Sequence, residues 1–66
     1  MDKEARLVYI RSQILCAEIE MQGMIAENRQ RELRGESMAY VEEDFALIPI
    51  RYGIHSNAVI SYLKKL

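Results

Sequence analysis

Three arginines stand close together in the stretch ENRQRELRGE, at positions Arg29, Arg31 and Arg34. A guanidinium presents a planar fork of donors that matches two oxygens of a phosphate or carboxylate, so such a cluster is a candidate anion site. Glu27, Glu32 and Glu36 are interleaved with it. Glu27 stands one helical turn before Arg31, the spacing at which ion pairs form along a helix surface. Read alone, the run is therefore a solvated face; several copies gathered around one axis would make it a pocket. Asn28 heads the cluster, and Ser37 and Tyr40 follow it in GESMAY. A second polar pair, His55 and Asn57, lies in YGIHSNAV, where Ser56 is placed to cap a helix behind Gly53. A helix N-terminus points unpaired N–H groups and a positive dipole end outward, which suits an anion.

Other chemistries find little support. His55 is the only histidine and has no nucleophile near it in sequence, so it reads as a cap or surface group. Glu42, Glu43 and Asp44 are adjacent, and adjacent residues of a helix point in different directions. One cysteine and one histidine fall short of a zinc site. Cys16 sits in the apolar run ILCAEI and reads as a small buried hydrophobe. No phosphate-binding loop, dinucleotide fingerprint, metalloprotease helix or calcium loop is present. The expectation is a chain without catalytic residues, metal or cofactor. Four of the five aromatics are tyrosines (Tyr9, Tyr40, Tyr52 and Tyr62), a type favoured in interfaces and on ligand faces.

The elements that must position these groups read as all-α. From Asp2 to Arg34 there is no proline and one glycine. Leu7, Ile10, Ile14, Ala17, Met21 and Met24 recur at spacings of 3, 4, 3, 4 and 3, a heptad seam continued in register by Asn28 and Arg31. Beside it a second row, Val8, Leu15, Ile19 and Ala26, is read as widening the stripe. The pattern predicts one helix over about 2–34, ended by Gly35. A helix of that length spans about 45 Å at 1.5 Å per residue, more than the rest of the chain can cover. It calls for a second copy paired through Leu7, Ile10, Ile14, Met21 and Met24. At its seam position Asn28 is either solvated or a polar residue that fixes register between copies. Two short helices follow, over about 38–48 with Ser37 as cap and over about 56–66. Pro49 forces a break near Ile48, and the last helix carries the stripe Val59, Tyr62, Leu63 and Leu66.

The whole, residues 1–66, is one helical domain too small to form a generous core, and with a single cysteine it has no internal disulfide. A net charge of −1 gives no basic field toward nucleic acid or membrane. With no long apolar run and no basic-then-apolar leader, a cytoplasmic protein is expected.

The tail GIHSNAVISYL resembles the second half of a helix-turn-helix, supplying Gly53, Ile54, His55, Ser56, Asn57, Val59 and Leu63 in order. Its outward positions would be Ser56, Asn57, Ile60 and Ser61, with Lys64 toward phosphate. Pro49 departs from the pattern where a small residue lets the two helices pack, and no arginine is present to read guanine. A capped helix after a glycine turn is the preferred reading, with DNA binding as the alternative. MIAENRQRELRGESMAYVEEDF followed by YGIHSNAV resembles small uncharacterised proteins of tailed-phage and prophage accessory regions, over about Ile19 to Val59. That resemblance implies an accessory, anti-defence inhibitor acting in the host cytoplasm. It would bind a host protein or sequester an anionic, nucleotide-like ligand. The ligand or partner residues expected from the physical reading are Asn28, Arg29, Arg31, Arg34, Ser37, Tyr40, His55 and Asn57.

Overall fold

A computed structural model describes residues 2–64, the side chains of Tyr62 and Leu63 excepted, and every regular element in it is helical. The first helix, α1, runs Lys3–Leu33. Asp2 sets its start, because its carboxylate accepts a hydrogen bond from the Ala5 N–H at 2.7 Å. Gly35 sets its end. With φ at +73°, it turns the chain so that the Gly35 N–H reaches the Glu32 carbonyl at 3.0 Å and the Glu36 N–H reaches the Arg31 carbonyl at 2.8 Å. Those two bonds make a Schellman motif, which side chains with a Cβ enter only with strain. No described helix is long and apolar enough to cross a membrane.

The first short helix starts later than expected. Residues 36–41 are not helical, Ser37 is exposed and caps nothing, and α2 spans only Glu42–Ala46. Its N-cap is Val41, whose N–H donates to the Asp44 carboxylate at 2.8 Å while its carbonyl accepts from the Asp44 N–H at 3.0 Å. The break expected near Ile48 is present. Leu47 ends α2 and begins α3, Ile48–Arg51, which carries Pro49 in its first turn, where a missing N–H leaves no bond unmade. Gly53, with φ at +65°, then repeats the Schellman turn, the Ile54 N–H reaching the Pro49 carbonyl at 2.9 Å. The last helix, α4, is Ser56–Lys64. Lys65 and Leu66, with which the sequence reading closed that helix, lie outside the described residues. The two expected short helices are thus three, because proline splits the first of them.

The core is small. Among the described residues Ala17, Met24 and Ile48 are the buried hydrophobics, each 5 or 6% exposed, with Met21, Tyr40, Phe45, Tyr52 and Ile54 packed around them. Here the structure corrects the sequence reading of α1 in three ways. Cys16, expected to be buried, is exposed. Met24 is covered by the chain itself and Met21 packs against the same core, so neither is left for a second copy. Along the same row Leu7 and Ile14 remain exposed and Ile10 half-buried. The second row is not beside the first. Residues nine apart on a helix differ by about 180°, so Val8 and Ala26 lie opposite Ala17, and Leu15 lies opposite Met24. That row faces away from everything else in the chain: Val8, Leu15 and Ile19 are 60, 57 and 64% exposed.

Candidate functional site

Asn28 takes neither role expected of it. Its side chain reaches across to the loop before α2 and holds it by three hydrogen bonds. Oδ1 accepts from the N–H groups of Ala39 at 3.0 Å and Tyr40 at 2.9 Å, and Nδ2 donates to the Tyr40 carbonyl at 2.8 Å. A primary amide is the side chain that can mimic a strand edge in this way, offering acceptor and donor together. The clamp turns the Tyr40 ring into the core and starts the chain back along α1. It also engages both ends of the Asn28 amide, so Asn28 positions the loop.

The arginine cluster is largely paired within the chain. Arg31 Nε lies 3.0 Å from the Glu27 carboxylate, the i,i+4 pair expected from the sequence. Arg34 forms a two-pronged pair with Glu36, through Nε at 3.0 Å and Nη2 at 3.2 Å. Arg29 is exposed and borders an open groove of about 640 Å³, with Glu32 and Glu36 on the same rim. An anion entering there meets carboxylates as well as guanidinium. Ser37 is exposed nearby in the loop.

His55 and Asn57 sit elsewhere. The Gln13 side-chain amide donates to the Tyr52 carbonyl at 3.1 Å, which fixes the turn before α4 against the first half of α1. Arg31 is further along α1 by about 27 Å at 1.5 Å per residue. The residues proposed from sequence as one site are therefore two separate sets. His55 is the cap of α4, its Nδ1 accepting from the Ala58 N–H at 3.4 Å and its carbonyl from the Val59 N–H at 3.1 Å. Ser56, expected as that cap, is the first helical residue. Asn57 is exposed, as are Ser56, Ile60, Ser61 and Lys64.

Sequence reasoning missed a polar contact that joins α1 to α3. Arg51 Nη1 meets Glu20 Oε1 at 2.7 Å beside a groove of about 520 Å³ between α1 and the short helices. The other oxygen of that carboxylate, Oε2, is buried without a hydrogen-bond partner among the described residues. Nothing in the spacing of Glu20 and Arg51 announces the pair, since it depends on where α3 docks. Tyr52 lies beside it, and its phenol is held above the ordinary value of 10.0, first by desolvation and then by the negative charge of Glu20. The sign follows from linkage: above pH 10 the unfolded chain gives up a proton that the folded chain keeps, so stability is full below that pH and falls as it rises beyond it. Thermal unfolding followed by circular dichroism should show a loss as pH rises above about 10 that Tyr52→Phe reduces. An equal loss in that variant would assign the effect to other groups.

No family model matches the chain, and neither the curated proteins nor the solved structures contain a significant match to it. Function must be argued from the surface. Among the described residues no three metal-ligating side chains come together. The open side of α1 carries the exposed apolar row Val8, Leu15 and Ile19.

Proposed function

We propose that this chain is a non-enzymatic, homo-oligomeric helical binding module, and that its ligand is a protein rather than a nucleotide. The observation that carries the reading is the surface. The chain exposes 5215 Å², whereas a compact monomer of this mass exposes roughly 4,300 Å². The difference is of the order of the ~800 Å² that each partner contributes to a stable interface. Apolar side chains of α1 contribute to it: Val8, Leu15 and Ile19 are 60, 57 and 64% exposed. The pairing of Arg31 with Glu27 and of Arg34 with Glu36 favours a protein partner over an anionic small molecule. The resemblance to phage accessory proteins suggests a host protein as the target, blocked in the manner of an anti-defence factor.

Size-exclusion chromatography with light scattering at micromolar concentration should return a dimer or larger species. A monomer at every concentration would overturn the proposal. Native mass spectrometry of protein taken from its own host cell would add the copy number and any retained partner.

A second reading has one observation behind it. Ser56, Asn57, Ile60, Ser61 and Lys64, the outward positions of a recognition helix, are all exposed on α4 behind the Gly53 turn. A DNA-binding regulator would lose affinity steeply with added salt. If Asn57→Ala and Lys64→Glu leave nucleic-acid binding unchanged, or none exists at low salt, this reading fails.

A further inference from the structure

We infer that two copies pair antiparallel through the open face of α1, with the two-fold axis crossing the seam midway between Ser12 and Leu15. The inference rests on the homo-oligomeric reading above and specifies its surface, register and direction. On the open face Ala5, Ser12, Ile19, Ala26 and Leu33 alternate with Val8, Leu15, Gln22 and Arg29 at spacings of three and four, which is a coiled-coil seam. The chain's own core residues Ala17 and Met24 fall at the heptad positions opposite this seam. The face that folds the monomer and the face left open are therefore separate.

The large apolar residues of the seam are concentrated between Val8 and Ile19. An antiparallel partner centred there stacks Val8 on Ile19 of the second copy and Ser12 on its Leu15, and the symmetry repeats both layers. Ser12 suits a covered position, because its hydroxyl already donates to the Val8 carbonyl at 3.0 Å. Beyond Ile19 the seam runs through Gln22, Ala26 and Arg29 to Leu33, which stands past the overlap of the two helices in this register. A parallel, in-register pair would set Arg29 against Arg29 of the second copy, like charges in a desolvated layer.

Charge selects the same direction. Arg11 and Glu18 are one heptad apart on one flank of the seam, and both are exposed. In an antiparallel pair this flank meets its own counterpart, so in this register Arg11 faces Glu18 of the second copy, twice. In a parallel pair it meets the other flank, where Cys16 and Gly23 stand, and neither charge finds a partner. Flanking charges of this kind set orientation in paired helices.

A charge exchange on the full chain tests this. Arg11→Glu alone and Glu18→Arg alone each replace two attractions with two repulsions, and should weaken dimerisation by about tenfold or more, measured by analytical ultracentrifugation at low salt. The double variant Arg11→Glu/Glu18→Arg restores the pairs and should return to within about threefold of the natural chain. Singles that dimerise like the natural chain would overturn the register and direction while leaving the homo-oligomer intact. A natural chain that is monomeric would overturn both. A second readout does not depend on charge: spin labels on Gln30→Cys in a Cys16→Ser background should lie roughly 50 Å apart along the helix axis if antiparallel. A separation under about 20 Å would establish the parallel arrangement instead.

Discussion

Asn28→Ala should lower the free energy of unfolding by about 2–3 kcal/mol, a large share of what so small a domain holds. The variant removes a whole amide and leaves the Ala39 N–H, the Tyr40 N–H and the Tyr40 carbonyl without their partner. The Tyr40 groups are partly buried, so water replaces the lost bonds incompletely. Amide hydrogen exchange gives the specific signature. The Ala39 and Tyr40 N–H groups should be protected in the natural chain and exchange quickly in the variant, while amides in the middle of α1 change less. Asn28→Asp keeps two acceptor oxygens but sets a carboxylate against the Tyr40 carbonyl, so it should not recover the natural stability. A variant that unfolds like the natural chain would show that the clamp contributes nothing.

Ile48→Ala should cost about 2–4 kcal/mol, the range for deleting a buried aliphatic side chain and leaving a cavity. Ile48 is one of three buried hydrophobics among the described residues, and it is the one that brings the short helices onto α1. A core of this size rarely supplies more than about 3–5 kcal/mol, so the variant should lose its cooperative melting transition altogether. Ile50→Ala, two positions away and exposed, is the control and should move stability by no more than about 0.5 kcal/mol. Both need measurement at one fixed concentration, because association shifts apparent stability by mass action. Equal effects from the two variants would mean that the docking of α3 is not what holds the fold.

The local decisions of this fold are readable in its sequence. Asp2, Gly35, Pro49 and Gly53 punctuate the helices through fixed backbone preferences, and the expected extent of α1 differs from the observed one by a residue at each end. What the sequence does not carry is which face of α1 the rest of the chain takes. Two rows run along that helix at heptad spacing, one wholly apolar from Leu7 to Met24 and one interrupted by Ser12 and Gln22, and spacing alone does not say which of them the same chain covers. The choice is made by the loop that Asn28 holds, a contact between residues twelve apart that no local pattern encodes. The candidate site was divided for the same reason. The arginine cluster and the His55 pair looked like one constellation until the Gln13 contact placed the second turn toward the other end of α1. The ion pair between Glu20 and Arg51 was invisible because it exists only once α3 has docked.

The return of the chain after α1 begins with the left-handed turn at Gly35 and the Asn28 amide. The docking of Ile48 and the contacts of Gln13 and Glu20 complete it. Everything that α2 and α3 present to α1 could be presented equally to the α1 of another molecule. A loop that opened at Arg34 would therefore give exchanged dimers, each C-terminal segment docked on its neighbour's Ala17 and Met24 with the same core preserved. Exchange leaves the opposite face of α1 unused. Combined with pairing through that face, it would link molecule to molecule without closing. In the proposed pairing, the Asn28 clamp would keep the assembly finite by favouring the return within one chain.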